Sequence, residues 1–294
     1  GMVTAWNPLQ GSALGSFRAH EGPVLGLAAD PLGRRFATGG QDKAIRLWNT
    51  STLEQTDTWK AHSSMVRCLA FSPDGRWLAS GDEDQNILLW DVATGQVLRQ
   101  LTGHTAGVTR LSFNTDATRL ASSSFDKTVR VWNPSDGSEL LTLIHPVAVR
   151  SVNFSPDGRS LASSCDDGQV RVWQAKEKAD RFTLQPHGLG LVDIGFYGDS
   201  THVMARDTAG RRVFWDIRNG SQLETADLPE DPGDSPKLTK ISPDGRWLIR
   251  IDAGRQAVLI DRSLLEENRQ RIRQKLELWF GEAGPGSTFK EKLP

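Results

Sequence analysis

Short runs of apolar and β-branched residues recur along the chain, among them AIRLW, NILLW, TVRVW and QVRVW, each preceded by a second apolar run and closed by polar turn residues. Runs of this length bounded by turn signals, such as SPDG at 72–75, 155–158 and 242–245, predict strands rather than helices. Each unit reads as four short strands. After Asp261 the period changes: Leu265, Ile272, Leu276 and Trp279 follow a helical spacing, SLLE at 263–266 has the form of a capping box, and Gly281 is a suitable stop. The pattern therefore predicts an all-β domain over 1–262, an amphipathic helix over 263–281 that packs on its own domain, and a tail over 282–294 serving as linker or closing strand.

The strands are periodic. Trp6, Trp48, Trp90, Trp132, Trp173 and Trp215 are separated by 42, 42, 42, 41 and 42 residues. His20, His62, His104, His145 and His187 each precede a Trp of this set by 28 residues, Asp42, Asp84, Asp126 and Asp167 by 6, and Thr38, Ser80, Ser122 and Ser163 by 10. A fixed period near 40 residues is the mark of a repeat architecture. On these residues the chain, from about 3 to 261, resembles the WD-repeat family of β-propellers.

The resemblance implies four-stranded blades around a central axis and a hydrogen-bonded network inside each blade. The sets are His20, Thr38, Asp42 and Trp48; His62, Ser80, Asp84 and Trp90; His104, Ser122, Asp126 and Trp132; and His145, Ser163, Asp167 and Trp173. In each, Asp accepts from His, His reaches the hydroxyl, and the hydroxyl accepts from the indole N–H. The unit ending at Trp215 departs from the pattern, with Ala205 and Ala209 at the Ser/Thr and Asp positions and Asp207 two positions early. The last has Ile260 for Trp, Gly254 for Asp and Pro232 for His. Six inner-strand triplets are present, and the N-terminal VTAWN would compete with the strand at 256–260 in a six-bladed ring. The expectation is therefore seven blades, with six as the alternative.

Composition narrows the function. A 294-residue chain with 37% hydrophobic residues can bury a large core, and a net charge of −1 gives no pull toward nucleic acid or an anionic membrane. Cys68 and Cys165 form no CxxC pair, and no apolar run is long enough to cross a bilayer, so the expected setting is the reducing cytoplasm. Nucleophile-elbow, P-loop, HExxH and dinucleotide motifs are absent from the sequence. Histidines placed one per blade cannot meet at a shared zinc ion, and His202 is the only one outside the period. The acidic stretch LASGDEDQNILLWD therefore reads as a repeat feature, with Asp84 in the network and Glu83 free as a contact residue.

These readings predict no catalytic residue, metal or cofactor. They point to a scaffold that binds a partner protein or peptide on the face carrying the His loops and Asp turns, with Met65, Arg67, Glu83, Phe125, Arg150 and Asp166 as candidate contacts. The alternative is a sensor or autoregulatory domain of a larger signalling protein with an upstream catalytic domain, since the chain opens in mid-blade. A propeller enzyme would need titratable groups converging on the axis, and the sequence shows none.

Overall fold

The computed structural model describes residues 1–7, 12–175, 180–184, 191–196, 200–207, 212–223, 238–241, 247–251 and 257–261. The expected helix at 263–281, the tail at 282–294, the third SPDG turn, His187, Ala209, Pro232 and Gly254 lie outside them. The chain opens with β1 (Met2–Asn7) and β2 (Ser12–Arg18). Five antiparallel four-stranded sheets follow. The first holds β3 (Val24–Ala29), β4 (Arg35–Gly40), β5 (Ile45–Asn49) and β6 (Gln55–Trp59), and the second β7 (Val66–Phe71), β8 (Trp77–Asp82), β9 (Ile87–Asp91) and β10 (Val97–Leu101). The third holds β11 (Val108–Phe113), β12 (Leu120–Ser124), β13 (Thr128–Trp132) and β14 (Glu139–Ile144). The fourth holds β15 (Val149–Phe154), β16 (Ser160–Cys165), β17 (Val170–Gln174) and β18 (Asp180–Leu184). The fifth holds β19 (Leu191–Phe196), β20 (His202–Asp207), β21 (Arg212–Asp216) and β22 (Ser221–Leu223).

A sixth sheet joins the two ends of the chain in the order β2-β1-β25-β24-β23, where β23 is Leu238–Ile241, β24 Trp247–Ile251 and β25 Ala257–Asp261. VTAWN does not displace the strand at 256–260. It lies parallel beside it, Val3 opposite Ala257 and Trp6 opposite Ile260, and hands its other edge to β2. β25 thus offers β1 the open edge that an outer strand would otherwise take.

The sequence pattern follows from how these sheets stack. Each apolar cluster is built from two successive sheets: Ala37, Ile45, Leu47 and Trp59 of the first pack with Val66, Leu69, Leu78, Leu88 and Trp90 of the second. The same arrangement recurs between the second and third, third and fourth, and fourth and fifth sheets. A middle strand is therefore covered on both faces, and β12 and β16 are buried along their whole length, whereas β6 and β10 are exposed except at their last residue. Close stacking also explains the small residues of the second strands. A Cβ at Gly81 would lie 2.7 Å from both Cys68 Sγ and Val108 Cγ1.

Candidate partner-binding face

Inside the first four sheets a relay of hydrogen bonds ties the loop ahead of the inner strand to the two middle strands. In the first sheet the Trp48 indole N–H donates to Thr38 Oγ1 at 2.9 Å, Thr38 Oγ1 lies 2.8 Å from His20 Nε2, and His20 Nδ1 lies 2.7 Å from Asp42 Oδ1. The third sheet repeats it with Trp132, Ser122, His104 and Asp126 at 2.8, 2.7 and 2.7 Å. Within the relay a neutral imidazole donates from Nδ1 to the carboxylate and accepts the hydroxyl proton at Nε2; in the first sheet Arg46 Nη1, which donates to Asp42 Oδ2 at 2.7 Å, also lies 2.5 Å from His20 Nδ1. Thr38, Ser80, Ser122 and Ser163 are fully buried, so each depends on these partners.

Two blades differ from the expected sets. In the second, His62 Nδ1 donates to Asp82 Oδ2 at 2.8 Å, not to Asp84. Asp82 ends β8, is fully buried, and also accepts from the Asn86 backbone N–H at 2.9 Å and side chain at 3.0 Å. Asp84 is exposed on the following turn. The acid nearer the strand end reaches the ring first and holds two further donors there. In the fourth blade Trp173, Ser163 and His145 keep their bonds at 2.9 and 2.8 Å, but Asp167 pairs with Arg171 at 3.1 Å while His145 Nδ1 faces the Leu143 carbonyl at 3.2 Å. Elsewhere the residue after His helps dock the loop, Thr105 N–H donating to Asp126 at 3.0 Å. Pro146 follows His145 and has no N–H to give.

The relay shifts its own protonation. Burial works to raise the Asp42 carboxyl, but hydrogen bonds and charge from Arg46 and His20 outweigh it and hold it at about 2. Burial lowers the His20 imidazole below its ordinary value, against the pull of Asp42. Asp126 is also held low, with burial opposed by His104 and Thr128.

This frame carries the residues expected to meet a partner. The register of every described inner strand from β3 to β19 slips by one residue near its start, so that Arg67 in β7 and Arg150 in β15 are the extra residues of bulges. A bulge turns its side chain out of the ladder, here toward the His-loop face. Arg67 pairs with Glu83, and Arg150 pairs with Asp166 through two bonds of 2.5 and 3.0 Å. Both guanidinium groups lie over the Phe125 ring, Arg67 at 5.2 Å and Arg150 at 4.9 Å from its centroid. Five of the six named residues thus form one half-exposed cluster across three blades. Met65 is half-buried just before β7, its carbonyl accepting from the Glu83 N–H at 3.1 Å.

A second polar feature links sheets that are not neighbours. Arg110 of β11 reaches past the intervening fourth sheet to Asp193 of β19, Nη2 to Oδ1 at 2.5 Å, both residues more than nine-tenths buried. Ser151 Oγ lies 3.4 Å from the same carboxylate oxygen. Partners 83 positions apart leave no local signal; only the curvature of the stacked sheets brings them together. Cys68 and Cys165 are buried thiols outside any disulfide, and burial pushes Cys165 up to about 12, which keeps it unreactive. Among the described residues no three His, Cys, Asp or Glu side chains are placed to share a metal ion, and no helix is long and apolar enough to cross a membrane.

Repeated four-stranded antiparallel sheets, stacked face to face with a Trp, Ser/Thr and His relay in the first four, are those of a WD-repeat β-propeller, a class typically without catalytic activity. Residues 1–190 match the family described as WDR36/Utp21 second beta-propeller domain, and the chain belongs to that family. Comparison with curated proteins finds no match.

Proposed function

We propose that the chain is a non-catalytic protein-protein interaction scaffold that holds a partner protein or peptide on the His-loop face, around the central channel. The observation that carries this reading is the Arg67, Phe125 and Arg150 cluster. Three blades each contribute one side chain to it, two of them from bulges, and the buried relays below fix the loops from which it rises. Arginine and aromatic side chains held in place before binding lose little freedom when a partner arrives. Because Glu83 and Asp166 neutralise the two arginines, the cluster favours a polypeptide with mixed polar contacts over a nucleic acid or an anionic membrane. Six sheets, with β1 and β2 completing the last, favour six blades over seven. Two cysteines left as thiols suit a reducing cytoplasm.

An Arg67→Glu, Phe125→Ala, Arg150→Glu triple variant, melting like the parent, should lose its partner in a pull-down from source cells. Retained binding by that folded variant would move the interface away from this face.

A further inference from the structure

A second surface stands on the outer wall, independent of the His-loop face. Among the described residues five large apolar side chains are exposed, and four of them are on two neighbouring outer strands: Val97 and Leu98 of β10, and Leu140 and Ile144 of β14, with Leu140 at 50% and Ile144 at 78% exposure. The two strands are joined where Arg99 Nη2 donates to the Ser135 carbonyl at 3.4 Å, just ahead of β14. Leu98 and Leu140 are the bulged residues of their strands; at the same register the outer strands β6 and β18 carry Thr56 and Arg181. At the position of Ile144 the first and second sheets carry Lys60 and Thr102. Outer strands are kept from pairing with other chains by polar and charged residues. In β14 those residues are replaced by leucine and isoleucine.

The main chain specifies what would cover this surface. Among the described residues β14 ends its sheet and pairs only with β13. Because the His145 N–H donates to the Lys127 carbonyl at 2.9 Å, the alternation of an antiparallel ladder turns the N–H groups of Thr142 and Ile144 away from β13, toward the open edge. An unpaired edge flanked by apolar side chains is completed by another strand, the ladder supplying affinity and alternate side chains supplying selection. We propose that β14 is a docking edge for an extended segment of a partner protein, with apolar residues at alternate positions that lie against Leu140 and Ile144. A second copy of this chain fits less well. Two convex walls meeting along one six-residue strand would touch over only ~20 Å of length. A strip of that length and about 10 Å wide buries only roughly 400 Å² over both partners, far short of the roughly 1,200 Å² a specific stable interface buries.

The test uses the full chain and a capped heptapeptide of alternating valine and threonine ended by lysines. Amide exchange is followed by NMR at Thr142 and Ile144 of β14, and at the equivalent outward amides Thr58 and Lys60 of the polar edge β6. The peptide should slow exchange at Thr142 and Ile144 roughly tenfold more than at Thr58 and Lys60. A central proline in the peptide, or Ile144→Lys in the protein, should abolish the difference while the melting temperature holds. Equal protection at both edges, or none at millimolar peptide, would overturn the proposal. So would β14 amides already protected without peptide, which would mean the chain covers its own edge, or a concentration-dependent dimer lost in Ile144→Lys, which would assign the edge to a second copy.

Discussion

His62 Nδ1 lies 2.8 Å from Asp82 Oδ2, and both side chains are almost wholly withdrawn from solvent. The relay of the second blade therefore ends on the acid that closes β8, not on the acid that matches the repeat spacing. Removing the Asp82 carboxylate strands a buried imidazole N–H and frees the Asn86 N–H, so Asp82→Ala should cost about 2–4 kcal/mol, as expected when one partner of a charged hydrogen bond is deleted. Asp84→Ala, on the exposed turn, should stay within ~0.5 kcal/mol. Urea denaturation of the two variants separates them; equal losses would mean that Asp84 shares the network.

The same relay in the first blade predicts how stability falls with acid. His20 titrates below its unfolded value of 6.5 because it is buried, so its contribution is complete above that value. It is lost as pH drops below 6.5, since the unfolded chain takes up the proton first. Asp42 acts in a lower window. Held at about 2 against an unfolded 3.8, it contributes fully above 3.8 and loses its contribution as pH falls toward 2. The melting temperature should accordingly decline between pH 7 and 5, and again below pH 4. His20→Asn should flatten the upper decline and leave part of the lower one. An unchanged slope in that variant between pH 7 and 5 would remove His20 as its source.

How far the sequence reached can be judged at particular residues. The Trp and His periods located the strands and blades because every unit must fill the same space between two neighbours, and a repeated space demands a repeated residue. Asp84 misled for the same reason: spacing counts positions, while a carboxylate two residues earlier, at the end of the strand, reaches the same ring. Asp207 stands 8 residues before Trp215, as Asp82 stands 8 before Trp90, so the signal for that alternative position was present twice. Asp207 too is buried at the end of its strand. The Arg67, Phe125 and Arg150 residues were legible singly, from their places beside the relay residues, but their stacking required the bulges. VTAWN forms the expected strand, but it pairs with β25 instead of competing with it, and parallel pairing of the two chain ends has no local sequence mark.

The pair that sequence could not supply gives the sharpest energetic test. Arg110 and Asp193 are held by opposite charge in a site that admits little water, and Arg110 Nε has no hydrogen-bond partner among the described residues. Deleting Asp193 alone would leave the guanidinium buried and uncompensated, so Asp193→Ala should cost about 3–5 kcal/mol. Replacing both groups by apolar side chains removes the desolvation of two charges together with their attraction. Arg110→Met with Asp193→Leu should thus recover most of that loss, within ~1 kcal/mol of the parent. A double-mutant cycle by chemical denaturation measures the coupling. Additive losses would show that the two residues stabilise the fold separately, through their own strands, whereas a large favourable coupling identifies the pair as a strut between the third and fifth sheets.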